Sequence, residues 1–535
     1  MTVESDLPVA INGPGAVAAT SAPAQEEDET SAADLVLPLV AVGAAGALAG
    51  YGYVRRTRRA RTRTTPAGTP TAPSAPPLTA LDKQARALLT EADDCVRTSR
   101  EELGFAEARF GTEAVAPFAS ALRDAESELS AAFRMRQRYD DGVPADETSR
   151  RHVLAGIVGR CQEAGRRLDA QAPAFDQLRA LERELGAALA VAETRFRELA
   201  GRTPTTQATL TDLAELYAPS AAAPVTGYVE QAKDRLVFAG ARLNQARQSA
   251  DMDSPERAAR HLRAAEGAVD QAAVFLSAVH RLADELRAAT KLVPAALTGA
   301  EAELAGVRGV LPAAGEWEQP ADAGMGAMAG AVPDAGRGPA TGEVEAADDA
   351  GRPVPPGAPP DVPVGELRSR VLHADAVLTS VRQELTGGQP YDPLDVLHRI
   401  VRALAPVATG RAGVLPAAAR LTAHSATAAA DDFVTTHRGA VGADARTRLA
   451  AAAQDLLHAT TLTDLASVRA LARQAHELAE QDVRTHGNPL AGAADASRAG
   501  GAVLGGILLD GGSGDSPPAC FGGPLTRARR NLPPG

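Results

Sequence analysis

The chain has 535 residues, of which 67 are acidic and 55 basic, giving a formal charge of −12. That is room for several domains, but not the basic surface of a nucleic-acid binder. One Trp, six Tyr and ten Phe are few for a large aromatic-rich enzyme core, and three scattered cysteines, Cys95, Cys161 and Cys520, exclude a disulfide scaffold.

Residues 1–34 hold seven acids and no Lys or Arg, which reads as an acidic, disordered tail. Residues 35–54, LVLPLVAVGAAGALAGYGYV, form an uncharged run of twenty. At ~1.5 Å per residue such a helix spans about 30 Å, the hydrocarbon thickness of a bilayer. Six arginines follow it at once: Arg55, Arg56, Arg58, Arg59, Arg61 and Arg63. Positive charge resists translocation, so the pattern predicts a single-pass cell-membrane protein. Its N-terminus is expected outside and its bulk in the cytoplasm. The lipid bilayer is then the first partner, through 35–54. The six arginines are candidates for contact with anionic lipid at ~1 kcal/mol each. The GxxxG pair Gly46 and Gly50 is compatible with a homo-oligomer.

The Arg-rich juxtamembrane segment runs into a Pro/Thr/Ala linker, together 55–77. A helical bundle region is expected over 78–311. Apolar residues recur there at steps of three and four: Leu81, Ala85, Leu88, Ala92, Val96; then Val115, Phe118, Leu122, Ala125; then Leu154, Ile157, Cys161, Ala164, Leu168; then Leu181, Leu185, Leu189. The clearest hairpin pairs Val229, Ala232, Leu236, Ala239 and Leu243 with Ala258, Leu262, Ala265, Val269 and Leu276. Ser254–Pro255 between them reads as N-cap and first helical residue. Residues 312–363 read as a disordered Pro/Gly/Ala linker, with Trp317 at its edge. A second helical region, 364–487, carries Leu367, Val371, Ala374 and Leu378, then Asp392–Pro393 before Leu394, Leu397 and Val401. Residues 488–535 read as a Gly-rich disordered tail in which Cys520 is exposed. No alternating strand pattern occurs. The fold class is therefore all-α: one N-terminal transmembrane helix, then long antiparallel hairpins and coiled-coil-like bundles joined by disordered linkers.

The chemistry-bearing residues form no motif. Ten histidines (His152, His261, His280, His373, His398, His424, His437, His458, His476, His486) include no HExxH and no i, i+4 pair, so surface positions on helices are expected and no zinc site. Cys95 and Cys161 lie on apolar stripes and read as small core residues. Asp251, Asp253 and Ser254 lack the further ligands of a calcium loop. Gly511–Asp515 lacks the closing glycine of a nucleophile elbow. Arginines alternate with Glu and Asp as on solvated helix faces. No catalytic, cofactor-binding or metal-binding residue is nominated, and neither cofactor nor nucleic acid is expected.

Several runs carry a resemblance: YVRRTRRARTRTTP after the apolar helix, ELGFAEARFGTEAVAPF (102–118), GRCQEAGRRLD (159–169), SPERAARHLRAAEGAVDQA (254–272), GGQPYDPLDVLHRIVRA (387–403) and ATAAADDFVTTHRGAVGADARTRLA (426–450). Over roughly 35–535 the chain resembles the actinobacterial membrane proteins called TPM domain-containing proteins. That family implies an exported α/β TPM domain before the membrane helix. Residues 1–34 are too short for one, so no site residue of that domain carries over. The expectation is a non-enzymatic membrane protein with a cytoplasmic helical scaffold for an unidentified protein partner. The alternative is the accessory half of a TPM-type envelope phosphatase or stress protein whose exported catalytic domain is absent from this chain.

Overall fold

The computed structural model describes residues 76–311, 363–408, 413–486 and 520–530. The tail 1–34, the expected membrane segment 35–54, the cluster Arg55–Arg63 and Trp317 lie outside the described residues, as does nearly all of the expected linker 312–363. Among the described residues all regular structure is helical, as the three-four spacing predicts. No helix among them is long and apolar enough to cross a membrane.

Helix α1 (Leu78–Asp140) is two helices in one. Gly111 interrupts it with φ +82° and ψ 165°. A straight helix would hold Asp82 and Arg136 about 80 Å apart at 1.5 Å per residue, yet they form an ion pair. Arg100 likewise reaches Glu126 at 2.7 Å. The limbs 78–110 and 112–140 therefore fold back on each other through one residue. Space does not require glycine there, since nothing lies within 4 Å of where a Cβ would sit. The left-handed backbone requires it.

Helix α2 (Glu147–Arg179) completes this bundle, with Asp146 accepting a cap bond from the Ser149 N–H. The stripes Ala85–Val96, Val115–Ala132 and Leu154–Phe175 meet in one core. Helix α3 (Leu185–Leu216) leads through short turns to α4 (Tyr228–Asp251) and α5 (Pro255–Val310). Every stripe position of the α4–α5 hairpin named from sequence is buried. Its turn places Asp253 at φ +55°. The Ser254 side chain makes no capping bond, so the expected side-chain cap is absent; with its backbone at φ −116° and ψ 71°, Ser254 closes the turn by donating its N–H to the Ser249 carbonyl at 2.9 Å. Asp392, by contrast, caps the helix that follows it, accepting from the N–H groups of Leu394 and Asp395 at 3.0 Å.

Helix α5 has 56 residues, about 84 Å of length. Its first half, to Leu286, packs with α3 and α4. Its second half, from Ala289 to Leu304, packs with α6 (Val364–Thr386), α7 (Pro393–Leu404), α8 (Val414–His437) and α10 (Leu462–His486). Helix α9 (Ala443–His458) closes a smaller core with α8 and α10, and its Ala443 belongs to the core of α1 and α2. The regions 78–311 and 364–487 thus share their cores, and the described residues form one compact unit. Apolar stripes mark which face of a helix is buried, but not which helix covers it.

The tail also departs from expectation. Residues 520–530 include a helix, α11 (Pro524–Arg530), that packs on α2 and α1. Cys520 is buried rather than exposed, and Phe521 is fully buried. The composition around them is that of a linker; one aromatic ring seated in the first bundle overrides it.

Candidate functional site

Buried charged and polar side chains gather along limb 78–110. Asp93, Asp94, Glu102 and the Ser99 hydroxyl share its buried face with Cys95 and Val96. Carboxylates on such a face need cations at hydrogen-bonding distance. Arg446, in the first turns of α9 and 1% exposed, supplies them. Its Nη1 donates to Asp94 Oδ1 at 2.8 Å and also to Asp93. Its Nη2 donates to the Arg438 carbonyl at 2.6 Å and its Nε to the Val441 carbonyl at 3.1 Å. The guanidinium thereby folds the α8–α9 connection over α1.

Arg438 donates both Nη groups to Glu101 at 2.7 and 2.8 Å. Arg97 bridges Asp93 at 3.0 Å and Asp431 at 2.9 Å, and donates to Thr435 at 2.6 Å. Burial pushes the Asp93 carboxyl upward, but Arg97 and Arg446 outweigh it and hold it below the usual carboxylate value. Burial likewise lowers Arg438, and Glu101 more than reverses it.

A second cluster continues the belt. Arg179, at the end of α2, donates to Glu102 at 3.1 Å and to Glu266 of α5 at 2.6 Å. Arg263 reaches Glu102 at 3.1 Å and Asp176 at 3.4 Å. Here desolvation wins at Glu266, whose carboxyl is raised despite Arg179. Asp270 is raised well above its ordinary value by burial and by Glu101, against Arg195. One limb of α1 is thus ionically tied to α2, α5, α8 and α9.

Beside the belt an open cleft of about 510 Å³ runs between both limbs of α1, α8 and α9. Asp93, Arg97, Arg100, Glu126, Asp431 and Arg446 line it over an apolar floor that includes Val96, Phe133 and Leu449. His424 also lines it; the neighbouring Ser425 hydroxyl donates to Glu285 at 2.7 Å, while His424 Nδ1 lies 3.3 Å from the other oxygen of the same carboxylate. The serine points at the carboxylate rather than at the histidine. That order differs from the hydroxyl–imidazole–carboxylate relay of a catalytic triad.

The histidines are distributed differently from expectation. His152, His373, His424 and His458 are exposed, but His261, His280, His398, His437 and His476 are half-buried. His280 bonds Thr206 at 2.9 Å. His437 stacks on Phe433 with ring centroids 4.3 Å apart. His398 is lowered to about 3 by burial and by Arg469, Arg402 and Arg473. Alanine-rich helices approach closely enough to cover part of a ring whose edge faces solvent. Among the described residues no three His, Cys, Asp or Glu come together as a metal-binding group. Cys95 and Cys161 lie in the core as expected, and burial pushes both thiols up to about 12, away from nucleophilic reactivity.

Sequence reasoning missed the buried arginines. Arg136, Arg179, Arg235, Arg438 and Arg446 are each at most 3% exposed. A signal was present: Asp93 and Asp94 directly precede Cys95 on an apolar stripe, where paired acids demand buried cations.

Fold and site together define an all-helical bundle knit by internal ion pairs around an open, mixed-charge cleft. The chain is similar to two Mycobacterium tuberculosis proteins, UPF0603 protein MT2410 and UPF0603 protein Rv2345. Each is 30% identical over 475 residues, covering 84% of this chain and 66% of the relative. The chain therefore spans just under two thirds of the length of these relatives. No family model and no solved structure matches it.

Proposed function

We propose that the chain is a non-enzymatic scaffold related to the UPF0603 proteins. In this reading 35–54 anchors it in the cell membrane with the N-terminus outside. The helical unit lies in the cytoplasm and offers its surface to a protein partner, with Arg55–Arg63 against anionic lipid. The observation that carries the scaffold reading is the ion-pair belt: its charged side chains pair with one another across helices, those that line the open cleft included. The experiment is a fusion after Gly535 of a reporter active only in the cytoplasm, with assays of the purified chain against phosphoesters. The reporter should work and turnover should be absent. An active exported reporter, or turnover abolished by one substitution in the cleft, overturns the reading.

The incomplete span of the relatives favours a second reading, the accessory half of a TPM-type envelope phosphatase or stress protein. An in-frame TPM coding segment directly before Met1 would decide for it.

A further inference from the structure

We infer that the groove between α1, both limbs of which line it, and α2 is a sequence-specific peptide-binding site, filled reversibly in cis by this chain's own C-terminal segment. The segment is held by features that each read one residue. Phe521 stacks on Phe175 with centroids 4.3 Å apart and meets the edge of Phe118 at 6.1 Å, while Phe118 and Phe175 are themselves 5.2 Å apart. The three rings close an apolar slot. Next to it the Gly522 N–H donates to the fully buried Ser99 hydroxyl at 3.2 Å.

Backbones then touch. A Cβ on Gly523 would stand 2.2 Å from the Gly165 carbonyl oxygen, and one on Gly165 would stand 2.7 Å from Pro524 Cδ. Neither position admits a side chain. Asp169 of α2 takes the place of a cap for α11: it accepts from the N–H groups of Gly523 and Thr526 at 2.9 Å, from the Thr526 hydroxyl at 2.6 Å and from the Leu525 N–H at 3.3 Å. Arg527 donates to the Asp94 carbonyl at 3.0 Å, on the residue whose carboxylate binds Arg446. The readout is aromatic, Gly, Gly, Pro, any residue, Thr, Arg, with Leu525 pointing out at 62% exposure.

The segment rejoins the helical unit at His486 through residues 487–519, a stretch that reaches at most about 120 Å. A tether of that length sets an effective concentration far above ordinary protein concentrations, so occupation in cis prevails over exchange between copies. The contacts named here are all made by the seven consecutive residues Phe521–Arg527, the length of a docked linear motif.

The test uses the full chain. Phe521→Ala empties the slot, and the probe is a fluorescent peptide of residues 517–530 with Cys520→Ser. Anisotropy should show saturable binding to the Phe521→Ala chain, about tenfold or more weaker to the parent, whose site is filled. Binding should also be about tenfold or more weaker to the chain carrying both Phe521→Ala and Asp169→Asn. Equal binding to all three chains, or none to a Phe521→Ala chain with parental circular dichroism, overturns the proposal. If Phe521→Ala does not fold, Gly523→Ala in the full chain takes its place, read by alkylation of Cys520 with mass-spectrometric assignment. Cys520 should react about tenfold faster or more than in the parent while Cys95 and Cys161 stay protected. An unchanged Cys520 rate overturns the proposal.

Discussion

In the α4–α5 hairpin, Leu236, Leu243, Leu262 and Leu276 interleave with alanines in a core that holds the two helices face to face. At the junction of α1 with α9, Arg446 stands between Asp93 and Asp94 with almost no exposure. Both contacts bury helix faces, but they tolerate error differently. Sliding the hairpin by one turn exchanges apolar residues for apolar residues. The same slip at the junction leaves a buried guanidinium facing no carboxylate, which costs several kcal/mol. The apolar seam supplies most of the burial, and the charged junction selects one arrangement of helices joined by very long connections.

The largest effect should come from breaking the junction on one side. Arg446→Met leaves Asp93 and Asp94 short of a buried cation and should lower unfolding stability by about 3–5 kcal/mol in urea titration. Adding Asp93→Asn and Asp94→Asn to that variant should recover part of the loss. A loss under about 1 kcal/mol would mean that water screens the junction as it does a surface pair.

On the apolar side, Leu276, fully buried, should cost about 2–5 kcal/mol when cut to Ala, with no salt dependence. A strong salt dependence of that cost would erase the distinction between the two regions.

Asp432 sharpens it through pH. Burial raises its carboxyl to about 6, against Arg281. A carboxyl that binds its proton more tightly folded than unfolded contributes stability at low pH, and that contribution is lost as pH rises from 3.8 to about 6. Asp432→Asn should therefore gain on the parent more at about pH 7.5 than at about pH 5. An equal difference in melting temperature at both values would contradict this. The smallest contrast concerns caps: Asp392→Ala should cost about 1 kcal/mol and Ser254→Ala only a few tenths, because only Asp392 makes side-chain cap bonds. Equal losses would show that the Ser254 hydroxyl caps α5 in solution.

Helix identity and the buried faces were legible because spacing alone determines them. Leu154, Ile157 and Leu168 had to share a stripe whatever covered it. The pairing of stripes was not legible, since Arg438 and Arg446 look like solvated residues until α8 and α9 are laid on α1. Alternating Arg and acid suits a wet face and a buried ionic belt equally well. Phe521 was missed for a related reason. One ring among glycines and prolines has no period, and its role depends on Phe118 and Phe175, hundreds of residues away in sequence.

That distance has a consequence for how the protein is made. Ser99 and Gly522 are bonded across 423 residues. At about 5–20 residues per second, a ribosome needs roughly 20–85 s to add them. The first hairpin bundle therefore leaves the ribosome with its aromatic slot open. It stays open until translation reaches Phe521. A chain released before Phe521 leaves Phe118 and Phe175 without the ring that packs on both of them in the full chain.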